Sequence, residues 1–500
     1  MRLRRECTYV LLLIIAAACL RFWNLRQMEF KADEHQALDF ALSILQSRPW
    51  ATAAHWPQYS LRSSGGLNMP PLSNSLYALF WVLTRSPLGC TAILALLNVL
   101  SLPVLYAWAR PRIGSPRALL TIAWLALSPY MVIHSRKLWS HELLLPAMTL
   151  VLWGVAHWLS GKYWLAGGLL VWAVLLVSQL HLSGPILLAA LALSLAANTV
   201  LRLLRKQLHR LQRPRWWELL NIACGLAALL FFTVPYLRYL GTLSRNDFQS
   251  GMRLDWPEPR ILYHLFEAMV PLDWSTNHFG SHFWQYAMGH VTWGVNLKTL
   301  RYVSLIGSIY TAIPLVAKGA AAWLSRPYRI AVLGSSWIVF VLLFSFLHLP
   351  AYTHYILVIS PLAALMVGGG FEAEFRHAKF WNAFRWVHMG FLGILSAGLV
   401  GWVTHRGGSD GDYGIAYGVK YAEASALIAQ IDGKNFSQLE TGDRASLANR
   451  CHRPGEDVLW ILGWLKPEYR EKAARLNLCD GWELDNDGDC EFRWVLEKRH

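Results

Sequence analysis

The stretch YWLAGGLLVWAVLLVSQLHLSGPILLAALALSLAANTVLRLLRKQLHRLQRPR (163–215) decides the fold. Two apolar runs, 163–180 and 184–201, are each long enough to cross the ~30 Å hydrocarbon core of a bilayer as a helix. Only His181, Leu182 and Ser183 separate them, and the second run continues directly into the basic segment RLLRKQLHRLQRPR (202–215). Two spans joined by a short outer turn and closed by dense positive charge read as a membrane hairpin. Its basic loop stays on the cytoplasmic side. The fold class is therefore an all-α polytopic membrane protein.

The same grammar repeats outward from that hairpin. Arg2, Arg4 and Arg5 precede an apolar run at about 9–20, and Arg21-Phe22-Trp23 follows where a signal peptide would carry a small-residue cleavage site. This is a retained first span with its N-terminus inside. Further runs fall at roughly 89–109, 118–134, 142–158, 218–237, 300–323, 330–347, 355–371 and 386–404. With 163–180 and 184–201 that makes about eleven spans in all. The cytoplasmic loops are then 110–117, 159–162, 202–217, 324–329 and 372–385, and they collect Arg110, Arg112, Arg117, Arg326 and Arg329. One missed span would put the strongest basic run outside, so the charges support the topology.

Composition closes off the rivals. Of 500 residues, 55% are hydrophobic and 15% charged, against about 25% charged in soluble chains. A soluble multidomain protein is excluded, and continuous Leu/Ala/Val/Trp runs exclude a β-barrel, whose strands alternate. The net charge of +15 sits mainly in short loops between apolar runs. With no phosphate loop, zinc-finger spacing or RNA-binding signature, nucleic acid is not an expected partner.

The domain division expected is a transmembrane module, 1–404, with outer loops 26–88, 135–141 and 238–299, followed by an extracytoplasmic domain, 405–500. The first outer loop holds two short apolar segments, about 36–47 and 72–84, that fit amphipathic helices along the interface. The tail is polar. DYGIAYGVKYAEASALIAQI (412–431) reads as a strand or turn followed by a helix, and CDGWELDNDGDCEFRWVLEKR (479–499) as a hairpin, giving a small α+β domain. Cys451, Cys479 and Cys490 lie there, with Cys479–Cys490 the first choice for a disulfide because it closes the hairpin. Cys7, Cys19, Cys90 and Cys224 lie in or near spans and read as packing residues. No inverted repeat of the transporter kind is visible.

Chemistry-bearing residues gather on the outer side. KADEH (31–35) sets Asp33 beside Glu34 about ten residues after the first span. One carboxylate can take a proton from an acceptor hydroxyl while the other orients substrate or a metal. Equally, the pair can open a helix, with Asp33 as its cap. In HSRKLWSHELLLP (134–146), Arg136 and Lys137 run against the inside-positive tendency and suit a lipid-linked phosphate, or snorkel to headgroups. His141 and Glu142 can ligate a cation, although their spacing is not diagnostic. Gln179 and His181 end a span on the same face. His348, His354 and Tyr355 edge the span at 355–371, where imidazoles also occur simply as interfacial residues. NHFGSHFWQYAMGH (277–290), with His282, offers imidazoles and aromatic faces for a sugar ring, or an ordinary interfacial belt. Four segments thus converge on one side, which points to a water-facing cavity at the outer leaflet.

The order of features resembles the GT-C superfamily of polyprenyl-phosphate-sugar-dependent glycosyltransferases. It comprises a short first span, the Asp33-Glu34 loop and Pro70-Pro71-Leu72 before the next span. Then come Leu-Ser-Pro-Tyr…His-Ser-Arg (127–136) and Tyr…Pro-Leu-Ala-Ala-Leu (355–365). The nearest branch is the dolichyl-phosphate-mannose–protein mannosyltransferase-like and aminoarabinose-transferase-like proteins, and the likeness covers about 1–371. The resemblance implies Asp33 as base on the acceptor and Glu34 as its partner. Arg136, Lys137, His354 and Tyr355 would lie near the donor phosphate, and His141, Glu142, His181 and His282 on the acceptor side or behind it. The reaction implied is an inverting transfer of a monosaccharide from undecaprenyl or dolichyl phosphate to a glycan, lipid or protein at the outer face of the inner membrane. The N-terminus would be cytoplasmic, the C-terminus periplasmic, and a divalent cation is a candidate cofactor.

The chain departs from the pattern at Trp139-Ser140-His141-Glu142, where many relatives carry Arg-Pro-Asp, and at His354, where a basic residue is usual. Trp216-Trp217-Glu218 falls on the cytoplasmic edge, which argues against the oligosaccharyltransferase branch. The rival functional reading is a transporter or flippase for a lipid-linked or anionic substrate.

Overall fold

The computed structural model describes residues 2–46, 70–181, 183–204, 213–242, 329–346, 353–368, 378–409, 411–432 and 456–466, with 264, 275, 278–280, 283 and 468 besides. They are overwhelmingly helical, and no strand occurs among them; the only β-pairing is two isolated bridges, Glu29 with Ala416 and Gly408 with Ile415. The chain divides into two compact units. Unit 1 is Met1–Trp23, Ala37–Ser275 and Trp293–Ala397; unit 2 is Asn24–Gln36, Thr276–Thr292 and Gly398–His500.

The first helices are α1 (Arg2–Phe22), α2 (Ala32–Gln46), α3 (Leu72–Thr84), α4 (Pro87–Ile113), α5 (Ser115–Leu127) and α6 (Pro129–His134). Then follow α7 (Leu144–Leu159), α8 (Tyr163–Leu180), α9 (Gly184–Leu204), α10 (Trp216–Thr242), α11 (Arg329–Phe346), α12 (Ser360–Val367) and α13 (Ala378–Arg406). The two short apolar segments of the first outer loop are the helices α2 and α3. Among the described residues, six helical stretches are long and apolar enough to cross a membrane: Pro87–Ile113, Ser140–Leu159, Tyr163–Leu180, Gly184–Leu204, Trp216–Thr242 and Arg385–Arg406. The expected span at 300–323 lies outside the described residues.

Two expected spans are broken, each at a Ser-Pro pair. The run 118–134 is α5 and α6, because Pro129 has no N–H for the helix ladder and holds Ser128 extended (φ −63°, ψ 126°). The last carbonyls of α5 then need other donors. The Arg21 guanidinium gives hydrogen bonds to Leu125 O (2.8 Å) and Ala126 O (2.9 Å), and Ser396 Oγ gives one to Leu127 O (2.6 Å). The run 355–371 opens instead as a 3₁₀ turn, Thr353–Ile359, and Pro361 then starts α12. Ser360 Oγ donates to the Leu357 carbonyl that Pro361 leaves unbonded (2.8 Å).

The packing role expected of four cysteines holds for Cys90, which is buried; Cys7, Cys19 and Cys224 face outward. Lipid is as apolar as a neighbouring helix, so nothing drives these thiols inward.

Within unit 2, α14 (Tyr417–Ile431) packs against α15 (Glu456–Leu465), and Phe30 meets Tyr417 and Trp460 edge-on or tilted. The turn-then-helix expected at 412–431 is present. The hairpin at 479–499, Cys451, Cys479 and Cys490 lie outside the described residues, so the described tail is helical with the two bridges.

Candidate functional site

Each unit carries one cluster of ionisable side chains. In unit 1 it is built on three non-helical segments. A 3₁₀ turn at Ser140–Leu143 leads into α7, and Asn98 of α4 anchors it by donating to the Glu142 carbonyl (2.8 Å). His181 ends α8, where the chain must turn within three residues to begin α9. Gly184 permits that turn, since a Cβ there would stand 1.9 Å from the Val177 carbonyl oxygen. The third segment is the 3₁₀ turn carrying His354 and Tyr355.

These segments bring imidazoles together from positions far apart in sequence. The His141 ring centroid lies 4.1 Å from that of His181 and 4.7 Å from that of His354. Trp139 covers His141 and His354 at 4.8 and 4.9 Å, and Tyr355 meets His181 at 4.5 Å. Lys137 is buried with its ammonium 3.7 Å from the centre of the Trp139 ring, a cation–π contact. Glu142 is also buried, with Oε1 3.4 Å from His134 Nδ1. Burial holds the His181 imidazole far below its ordinary value, at about 3, so it is neutral.

Arg136 is buried against the end of α1. Its Nη1 donates to the carbonyls of Leu20 (3.0 Å), Arg21 (3.1 Å) and Trp23 (2.8 Å), as a cation at a helix C-terminus should.

The unit 2 cluster surrounds the start of α2. The helix begins at Ala32, so Lys31 rather than Asp33 is the capping position. Glu34 accepts the Lys31 backbone N–H (2.8 Å), which is the returning half of a capping box. His35 is buried and bonded to Asp457 (2.8 Å), whose other oxygen accepts from Lys420 (2.6 Å). Burial opposes the Asp457 charge, but His35 and Lys420 outweigh it and hold that carboxyl below its ordinary value. Asp33 is exposed and makes no ion pair or side-chain hydrogen bond among the described residues.

Lys31 and His278 join two carboxylates that sequence reading missed, Glu29 and Asp412, in a ring. Glu29 contacts Lys31 Nζ (2.9 Å) and His278 Nε2 (3.1 Å), and Asp412 contacts Lys31 Nζ (3.1 Å) and His278 Nδ1 (3.2 Å). Gly411 makes this possible: a Cβ there would sit 2.4 Å from Gly280 N and 2.6 Å from His278 O. Burial disfavours the Lys31 charge, yet Glu29 and Asp412 raise its pKa overall. The hydrogen bond from His278 is the largest influence on Asp412, and its carboxyl lies well below the usual range. Glu29 and Asp412 had no sequence signal; only their separate approach to His278 reveals them.

The structure therefore unites His141, Glu142, His181, His354 and Tyr355, with Lys137 beside them, in unit 1, and places Asp33 and Glu34 in unit 2. His282 lies outside the described residues.

A polytopic helical membrane protein with an imidazole cluster and a carboxylate-lysine cluster is the class these observations define. No family model matches the chain, and no curated protein matches it. Among solved structures it is similar to ArnT from Cupriavidus metallidurans in the apo state, at 16% identity and TM-score 0.44, covering 94% of this chain and 76% of that one. The same protein bound to undecaprenyl phosphate gives 16% and 0.43, covering 93% and 76%. The oligosaccharyltransferase AglB from Archaeoglobus fulgidus, in complex with an inhibitory peptide and a dolichol-phosphate, gives 13% and 0.40, covering 88% and 59%. At this distance the roles of residues rest on this chain's own chemistry.

Proposed function

We propose that the protein is a membrane glycosyltransferase that moves a monosaccharide from a polyprenyl-phosphate donor, such as an undecaprenyl or dolichyl phosphate sugar, to an acceptor hydroxyl or amine. The acceptor is a glycan, lipid or protein. Asp33 removes the acceptor proton as the acceptor heteroatom bonds to the anomeric carbon. The bond from that carbon to the phosphate oxygen breaks, polyprenyl phosphate leaves with the electron pair, and configuration inverts. Cations beside the phosphate favour its departure, and Lys137, His354 and Tyr355 are the groups assigned to it, with Arg136 behind them. The site belongs at the outer face of the inner membrane.

One observation carries the reading. In the KADEH run, Lys31, Glu34 and His35 are each engaged in structural bonds, and Asp33 alone presents its carboxylate to solvent. That is what a base requires when it must meet an incoming acceptor. The transporter reading needs a broken helix whose freed carbonyls face a substrate. At the break between α5 and α6 those carbonyls are taken by Arg21 and Ser396.

The test is turnover by the full chain in liposomes containing a panel of polyprenyl-phosphate monosaccharides. Asp33→Asn is expected to lower transfer at least about a hundredfold, while Asp39→Asn, further along the same helix, leaves it near wild type. Sugar transfer at the wild-type rate by Asp33→Asn overturns the assignment.

A further inference from the structure

We propose that His141, His181 and His354 form a binding site for one transition-metal dication of the zinc type. One ring nitrogen from each lies within 4.8 Å of the others. Ligands on a tetrahedral zinc, at about 2.0–2.1 Å from the metal, stand roughly 3.4 Å apart. Small rotations of the three rings suffice to close the site.

The orphaned ring is the decisive observation. His141 is buried, and neither of its ring nitrogens has a hydrogen-bond partner among the described residues. Buried polar atoms without partners are uncommon in native proteins and call for an explanation. A metal supplies it, because an imidazole nitrogen that cannot reach a donor can still give its lone pair to a cation.

His181 has the support a ligand needs. Its Nδ1 lies 2.5 Å from Ser183 Oγ and 3.1 Å from the Ser183 amide nitrogen. The Ser183 amide donates to Nδ1, which puts the proton of the neutral ring on Nε2; a metal bound at Nε2 would move that proton to Nδ1, which then donates to the Ser183 hydroxyl in place of the amide bond. The nearby charges only partly offset the ion. Lys137 opposes a cation, but its ammonium lies over Trp139, and the buried Glu142 carboxylate adjoins His141 in the chain.

The other acid–imidazole group, Glu29, His278 and Asp412, is a weaker candidate. Lys31 already bridges both of its carboxylates.

Three imidazoles leave a tetrahedral ion one open position, which suits an anionic oxygen. In the glycosyltransferase reading, on which this clause alone rests, that ligand is the donor phosphate.

The experiment uses full-length protein in detergent, stripped by chelator and titrated with Zn²⁺ or Co²⁺ without substrate. One ion per chain is expected, with the visible Co²⁺ spectrum of a four-coordinate site and three imidazole nitrogens in X-ray absorption of the zinc form. His141→Asn and His354→Asn are each expected to weaken binding at least tenfold, and Ser183→Ala about tenfold. Absence of stoichiometric binding by the wild type overturns the proposal. So does unchanged affinity in the His141→Asn/His354→Asn double variant, or loss of binding only in Glu29→Gln/His278→Asn. Should the imidazole variants fail to fold, X-ray absorption of the wild type decides: carboxylate-rich coordination sinks the site. Binding is read without turnover, so failed sugar transfer with this site intact would remove only the glycosyltransferase reading.

Discussion

Arg136 separates two roles that sequence alone leaves merged. A cation on an outer loop invites a phosphate, but here one guanidinium nitrogen holds three carbonyls at the end of α1. Arg136→Gln should therefore lower stability by roughly 3 kcal/mol, the scale of lost hydrogen bonds to a buried charge. Thermal unfolding in detergent measures it. Unchanged stability with a raised KM for the donor would instead make the residue a phosphate ligand and not a helix cap. The residue types at the site were legible because acid, base and imidazole concentrate on one side of the predicted membrane. Their partners were not. Nothing in the spacing of Glu29, His278 and Asp412 ties positions so far apart, and the Asp33-Glu34 pair signalled a helix start without showing that Glu34 takes the Lys31 amide.

Helices were readable wherever a long apolar run sets the structure, since lipid demands that backbone groups be satisfied within the segment. The exceptions are the two Ser-Pro breaks. Hydropathy averages across them, whereas the ladder fails at the single missing N–H of Pro129 or Pro361. In the tail the deciding contact is again long-range: α14 and α15 share the ion pair of Lys420 with Asp457, to which His35 adds a second bond. The Asp457 carboxyl is held below its ordinary value of 3.8 in the folded chain. A depressed carboxyl contributes its full stabilisation above the unfolded value and loses it as pH falls through the folded one. Protection of α14 and α15 against hydrogen exchange, taken relative to the intrinsic amide rate at each pH, should accordingly fall below about pH 4, and Asp457→Asn should abolish that acid step. Protection in these helices that stays unchanged down to about pH 3 would show that the pair does not hold them.

At the scale of the whole chain, side-chain pairs within unit 1 sort the ends of its helices into two sets. Glu6, near the start of α1, pairs with Arg110 at the end of α4 (2.9 Å), so those ends share a face. Arg112 reaches the Trp153 ring of α7, Arg202 donates to the Leu159 carbonyl, and Gly368 packs on the Arg117 carbonyl, adding 159–162, the end of α9 and the end of α12 to it. On the other face Arg136 holds Trp23, and His141, His181 and His354 cluster. Charge leads to the same expectation for the loop ends at Arg110, Arg112 and Arg117. By the inside-positive tendency the first set is expected on the cytoplasmic side. The sequence adds one more crossing at 386–404, so the tail is expected on the outer side. A phosphatase or fluorescent reporter fused after His500 should consequently be active only outside the cytoplasm, and one fused in the 202–215 loop only inside. Both reporters active in the same compartment would mean that the number of crossings between them is even rather than odd. The outer-face site would then lose its membrane geometry, whatever the chemistry of its side chains.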